Sequence, residues 1–324
     1  MDPDVIDDIE NYLKGRGCII RYGYIIYKWG NIKKSADVAS AAKTLYTHFL
    51  FKALEDKKIT SLDERVSLWE PRLNFLNEQY NFKDREITWR HLANQTACYG
   101  VVEKPGHAYI YNDCQMALFW DTLFLKVYGV KYNTVDDEVL KPFLTDLINC
   151  QDDPTFIAFG VNDRPGRLSI SPRDFARFGL LYLNLDNWKG QQLINSNNVY
   201  TILNSPIPSN LPRAGFKVAK MIQNQRSIGS KNIPDNQNDH CGNYSWLWWI
   251  NGVDINENQN WIDAPKDTFA AIGHDGREGL AIIPSLNIVI SWNDSRIQEI
   301  PKGTYHLNEV FKLLVRSCNS ELQQ

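Results

Sequence analysis

Two β-forming blocks stand near opposite ends of the chain, and they constrain its fold more than any other feature. Residues 18–29, "CIIRYGYIIYKW", are β-branched and aromatic with Gly23 at the centre, the pattern of a two-strand hairpin. "YSWLWWING" (244–252), "FAAIGHDG" (269–276) and "GLAIIPSLNIVISWN" (279–293) have the same character. The last of them holds two strands that turn at Pro284–Asn287. Strands at both ends predict one shared antiparallel sheet. Between them, about 60–235, helical segments alternate with loops. In "SPRDFARFGLLYLN" (171–184), Ser171 and Pro172 occupy the N-cap and first-turn positions of a helix. A closing helix over 305–318 puts Leu307, Val310, Phe311, Leu314 and Val315 on one face. The polar stretch 224–243 reads as an exposed loop. The expectation is an α+β, two-lobed unit: a sheet lobe from about 1–58 and 240–324, and a mostly helical lobe from about 59–239. A cleft between the lobes is the natural site.

Composition narrows the function classes. The 324 residues carry 35 basic and 38 acidic side chains, net −3, so no electrostatic footprint for nucleic acid is present. No apolar run approaches the roughly 18 residues of a membrane span. The start, "MDPDVIDDIENYL", is acidic and lacks the basic flank and apolar stretch of a signal peptide. A cytoplasmic protein is expected if residue 1 is the native start, and a periplasmic or secreted one if a leader was removed. Six cysteines (Cys18, Cys98, Cys114, Cys150, Cys241 and Cys318) are scattered without CxxC spacing, which points to unpaired thiols and no metal. No cofactor is implied, and the expected partner is a small molecule acted on by a monomer.

Chemistry first shows at "SADVASAAKTLYTHFLFKALEDKKI" (35–59). Val38, Ala42, Leu45, Phe49 and Leu54 recur at helical spacing, with Ser35 or Asp37 as cap. Ser40 and Lys43 then share one face, three residues apart, within reach of each other. A serine in a first helical turn feels the positive helix end, and a buried lysine beside it can act as its base. Ser-x-x-Lys alone is expected on the order of once per chain by chance, so the pair needs company. "HAYIYNDCQMALFW" (107–120) offers Tyr111, Asn112 and Asp113 at a loop-to-helix junction, a phenol that can serve as general acid or base. By itself it is equally a helix cap. "GHDGREG" (273–279) interrupts β sequence with glycines around His274 and Asp275, a mark of close approach by a ligand or another backbone. There, backbone N–H groups can join the Ser40 amide as an oxyanion hole.

The order of these three stretches resembles the three-motif pattern of the serine β-lactamase and penicillin-binding protein superfamily. The closest likeness is to the branch with class C β-lactamases, D-aminopeptidases, and β-lactamase-like esterases and amidases. The likeness extends through "KALEDKKITSLDERVSLWEPRL" (52–73), "REITWRHLANQT" (85–96), "GRLSISPRDFARFGLLYLN" (166–184) and "YSWLWWIN". It implies the β-lactamase/transpeptidase-like fold, an antiparallel sheet flanked by helices beside a mostly helical lobe. Carried over, it makes Ser40 the acyl-accepting nucleophile and Lys43 its proton-accepting partner. Tyr111 becomes the second-motif tyrosine, with Tyr109 its rival. Asn112 or Asp113 meets the lysine, because the family spacing is Tyr-x-Asn. His274, Asp275 and Gly276 fall on the third motif and contact substrate, while the Arg277 N–H pairs with the Ser40 N–H as oxyanion hole.

One departure bears on substrate. Lactam-processing members usually carry Lys-Thr-Gly as third motif, and its cation helps hold a substrate carboxylate. Asp275 instead places a negative charge there, which Arg277 can only partly offset. The resemblance therefore implies a serine hydrolase that cleaves a carboxylic ester or small amide. A D-amino-acid peptidase or weak β-lactamase is the alternative within this chemistry. A catalytically idle ligand-binding protein is the alternative outside it. Trp246, Trp248 and Trp249 alternate in part, so one face is core and the other borders the cleft. His91 and His107 are read as structural. No G-x-S-x-G, H-E-x-x-H, G-x-x-x-x-G-K-[ST] or G-x-G-x-x-G is present.

Overall fold

A computed structural model describes residues 1–158, 165–215, 217–223, 238–297 and 306–319. Asp2 caps helix α1 (Pro3–Leu13), with Pro3 in its first turn. Strands β1 (Arg16–Arg21) and β2 (Tyr24–Trp29) then form the expected hairpin around Gly23. The short strand β3 (Ala36–Asp37) leads into a 3-10 turn, Ala39–Ala42, continuous with helix α2 (Lys43–Glu55). Short helices α3 (Trp89–Ala93) and α4 (Asp113–Trp120) follow, then strands β4 (Thr155–Ala158) and β5 (Pro165–Ile170) and helix α5 (Pro172–Leu183). Ser171 caps α5 through the Asp174 N–H, as its sequence suggests. After the two-residue strands β6 (Asn187–Trp188) and β7 (Gln191–Gln192) comes helix α6 (Ser196–Asn204). The C-terminal block supplies β8 (Tyr244–Ser245), β9 (Trp248–Ile250), β10 (Phe269–Gly273), β11 (Glu278–Ile283), β12 (Ile288–Asn293) and the closing helix α7 (His306–Asn319). Most of the expected loop at 224–243 lies outside the described residues.

The two ends of the chain do share a sheet. Its order is β2-β1-β12-β11-β10-β9-β8, antiparallel throughout, and Ile19 of β1 lies opposite Ile290 of β12. Period-2 alternation explains why β11 and β12 read as unbroken apolar runs. Ala281, Ile283, Ile288, Ile290 and Trp292 face α1 and α7, packing with Ile9, Leu13, Phe311 and Leu314. Leu280, Ile282 and Val289 face the opposite way, into a larger core that includes Phe175 and Phe178 of α5. A second, three-stranded sheet, β3-β5-β4, ties the segment before Ser40 to residues 155–170.

One element sits differently from its sequence reading. Helix α5 falls within 59–239, the expected helical lobe, yet it packs on the large sheet, where Gly179 lies against Leu280 and Val289. The lobe boundary read from the alternation of elements does not follow this packing. Helix α2 carries apolar residues at helical spacing but is not amphipathic: Lys43 to Phe51 are all buried, so every face is covered.

A Cβ added at Gly179 would stand 2.6 Å from both Leu280 Cδ1 and Val289 Cγ1. Gly179→Ala is therefore expected to lower unfolding stability by about 1–3 kcal/mol, the usual cost of overpacking. Denaturant midpoints measure it, and an unchanged midpoint would show that α5 does not need this close contact.

Candidate active site

The serine is presented by a constrained turn. Asp37 Oδ1 accepts the Ala39 N–H at 2.7 Å and so holds this segment from just outside it, while the N-cap positions themselves are Val38 and Ala42 rather than Ser35 or Asp37. The Ser35 hydroxyl donates instead to the Asp152 carbonyl at 2.9 Å. Ala39 is held at φ +50, a left-handed conformation that costs a side-chain-bearing residue on the order of 1–2 kcal/mol. Strain of this kind persists where surrounding structure over-determines it, and functional sites are its usual location. Ser40 follows directly, half-buried on the 3-10 turn rather than inside the helix.

Lys43 opens α2 and is itself buried, 7 % exposed. Its Nζ donates to Ser40 Oγ at 2.7 Å, stands 3.5 Å from Asp113 Oδ1 and lies 4.7 Å from the centre of the Tyr111 ring. Burial pulls the lysine pKa down, but the Tyr111 oxygen and the Asp113 carboxylate outweigh it, and the net displacement is upward. The two neighbours thus favour the charged form of the lysine. Burial by itself favours the neutral amine that the sequence suggests, and the two adjacent groups oppose it.

The second motif resolves cleanly. Asn112 is the N-cap of α4, and its Oδ1 accepts the Gln115 N–H at 2.9 Å, so Asp113 is the group that meets the lysine. Tyr111 borders the same cavity as Ser40. Tyr109 is fully buried, its ring 5.0 Å from that of His240 and 5.5 Å from that of Tyr244, and burial drives its pKa far up. Of the two tyrosines, Tyr111 is the one at the serine.

The third motif departs from expectation in its backbone. Gly273 ends β10 against the serine turn, where an added Cβ would lie 2.4 Å from the Val38 carbonyl oxygen and 3.1 Å from Ala39 Cβ. This is the close approach that glycine signalled. Beyond it, His274–Gly276 forms a tight turn with His274 at φ +40 and Asp275 at φ +53. That curl turns the Arg277 N–H onto the His274 carbonyl at 3.1 Å, so the amide expected in the oxyanion hole is already engaged. The Arg277 guanidinium also turns away, 3.4 Å from Glu278 Oε1 and 3.7 Å from Asp294 Oδ1. It offers no offset to Asp275.

Several residues here had no sequence signal. His274 Nδ1 lies 3.1 Å from the buried Glu278, and its Nε2 lies 3.4 Å from Arg167, which is itself bonded to Asp37 at 2.6 Å. This chain of charges links the third motif to the aspartate that holds the serine turn. Burial and the Arg167 cation hold the His274 pKa below its ordinary value. Burial lifts the Glu278 carboxyl to about 7, with Asp37 and Asp294 adding to the rise and Arg277 and Arg167 opposing it. Arg167 and Glu278 come from strands far apart in sequence, so no local pattern joins them.

Ser40, Tyr111, His274 and Asp275 open onto one cavity of about 440 Å³. Trp249, Trp261 and Ile272 supply apolar wall, and Asp239, Asn243 and His306 supply polar rim. Trp246 and Trp248 are core, as their alternation with Trp249 implied. His91 is structural: its Nδ1 accepts the Thr88 N–H at 3.2 Å in a helix cap. Among the described residues no helix is long and apolar enough to cross a membrane.

No family model and no curated protein matches the chain. Solved structures do. EstCE1, a hydrolase with promiscuous acyltransferase activity, superposes with a TM-score of 0.66 at 11% identity, over 95% of this chain and 97% of that one. D-alanine carboxypeptidase AmpC from Burkholderia cenocepacia gives 0.59 at 14% identity over 98% and 99%, and a class C β-lactamase in complex with cefoxitin gives 0.57 at 15% over 97% and 98%. The chain has the β-lactamase/transpeptidase fold. On this β-lactamase-like fold the three stretches singled out by sequence meet at one cavity, with Asp113 where the family spacing has asparagine.

Glu278 gives this site a pH signature. Its folded pKa of about 7 lies above the ordinary 4.5, so folding favours the protonated form. That contribution is complete below about pH 4.5 and is lost as the pH rises through about 7. Glu278→Gln keeps a neutral group at every pH. The melting temperature of the variant relative to wild type is expected to rise between about pH 4.5 and about pH 8. A gap that does not change with pH would contradict the buried, neutral-favouring setting.

Proposed function

We propose that the protein is a serine hydrolase that cleaves a carboxylic ester or small amide through an acyl-enzyme on Ser40. The observation that carries this is the 2.7 Å bond from Lys43 Nζ to Ser40 Oγ, on a lysine also met by Tyr111 and Asp113 beside an open cavity. Ser40 Oγ attacks the substrate carbonyl carbon in one proton relay: Oγ gives its proton to Lys43, Lys43 gives one to the Tyr111 oxygen, and the Tyr111 hydroxyl gives its own to the leaving oxygen or nitrogen. The Lys43 side chain steadies Oγ as it becomes a nucleophile. The tetrahedral intermediate collapses as that last proton reaches the leaving group. In deacylation a water takes the place of the leaving group, and the same transfers run in reverse to restore Ser40.

The carbonyl oxygen becomes negative in both halves and needs two donors. The Ser40 N–H is one. For the second we assign the His274 N–H instead of the engaged Arg277 amide, because Gly273 brings this part of β10 against the serine turn. Asp275 on the cavity wall speaks for neutral or cationic substrates over penicillins and other carboxylate-bearing amides. The D-amino-acid peptidase reading is kept as the alternative, since its substrates carry an amine.

Intact-mass spectrometry with a p-nitrophenyl acyl ester, and separately with a penicillin, tests the reading. The ester is expected to acylate Ser40 and turn over, and Ser40→Ala to lose this by at least about 10³-fold. Stable penicillin adducts without ester turnover would redirect the assignment to a penicillin-binding protein. A folded protein labelled by neither would be a ligand platform. Gly273→Ala should lower kcat by about 10²-fold, the usual loss for one oxyanion donor, and by far more than it raises KM. Full activity in that variant would remove the His274 amide from the mechanism.

A further inference from the structure

Two aspartates line the cavity at Ser40. Asp275 faces it from the left-handed position of the third-motif turn, and Asp239 faces it from the opposite chain segment. The segment that holds Asp239 is anchored: the fully buried His240 beside it bonds the Leu211 carbonyl at 2.8 Å and takes the Gly242 N–H at 3.0 Å. Among the described residues neither aspartate is ion-paired, and no lysine or arginine lines the cavity. Cations close by are committed elsewhere. Lys43 faces Asp113, Arg167 holds Asp37, and Arg277 turns to Glu278 and Asp294.

The remaining wall is aromatic. Trp249 packs edge-on against Tyr244 at 4.8 Å and beside Tyr111 at 6.1 Å, and Trp261 is fixed by Phe311 at 4.8 Å. Indole and phenol rings bordered by carboxylates form an environment that attracts ammonium groups: aromatic rings carry a negative quadrupole and the carboxylates supply charge. An anion would meet repulsion from both sources. A neutral chain would gain only the apolar wall.

We propose that the preferred substrate of this site carries an ammonium group, primary or quaternary, bound by Asp239 and Asp275 against Trp249 and Trp261. This rests on the serine hydrolase reading for its catalytic half, but the recognition itself does not need Ser40. The ammonium stays on the substrate through both half-reactions and takes no part in the proton transfers. It acts through orientation, holding the carbonyl over Ser40 Oγ.

Two matched pairs of esters test it. On the acyl side, p-nitrophenyl 6-aminohexanoate is compared with p-nitrophenyl heptanoate. On the leaving-group side, acetylcholine is compared with 3,3-dimethylbutyl acetate. In at least one pair the cationic ester should have a kcat/KM about tenfold or more above its neutral partner. That ratio should fall to near one in the Asp239→Asn/Asp275→Asn double variant. Equal values in both pairs, or a preference that survives the double variant, would overturn the proposal. Calorimetric titration of Ser40→Ala with hexylammonium and with 1-hexanol separates recognition from chemistry. Tighter binding of the amine with no turnover of any ester would sustain recognition and sink the hydrolase reading. No preference for the amine would sink recognition even if esters are cleaved.

Discussion

Pairing of β1 with β12 is the interaction on which the rest depends. Six residues of one chain end lie in register with six of the other, from Arg16 opposite Asn293 to Arg21 opposite Ile288. Closing so long a loop carries an entropic cost that grows only slowly with length, and both faces of the resulting sheet recover it by burial. Once β12 is fixed, β11 and β10 follow as a meander. The end of β10 is then delivered to the serine turn, which the small sheet β3-β5-β4 holds from the other side.

The site adds an electrostatic layer to that frame. Three carboxylates near Ser40 have separate settings: Asp37 holds the serine turn and binds Arg167, Asp113 faces Lys43, and Glu278 sits buried behind His274. Each orients a different part of the constellation. Backbone strain accompanies them, with Ala39, His274 and Asp275 all left-handed within one small region. The cavity beside Ser40 is lined by Asp239, Asp275, Trp249 and Trp261, so on the proposed reading the groups that orient the serine and those that select a substrate are different residues.

Much of this is legible in the linear sequence. The hairpin at 18–29, the turn at Pro284–Asn287 and the Ser171 cap follow from local chemistry, in which a few adjacent residues decide the backbone. Ser40, Lys43 and Tyr111 stand out because helical spacing and motif order are properties of the chain itself. The direction of the Arg277 amide is not legible, because it depends on two left-handed residues in the turn, His274 and Asp275, neither of them glycine. The charge of Lys43 is hidden for a related reason: whether burial or neighbouring charge prevails depends on Tyr111 and Asp113, which arrive from a distant segment.

By itself the sequence determined which segments form strands and helices, that its ends join in one sheet, and which serine, lysine and tyrosine to watch. Those properties reside in short-range periodicity and in residue types. Only the tertiary structure decided that α5 belongs on the sheet, that Asp113 and not Asn112 meets the lysine, and that Glu278 stands behind His274. It also brought Asp239, Asp275, Trp249 and Trp261 around one cavity. Contacts between elements remote in the chain set burial, and burial sets both the charge of a group and the direction in which it faces.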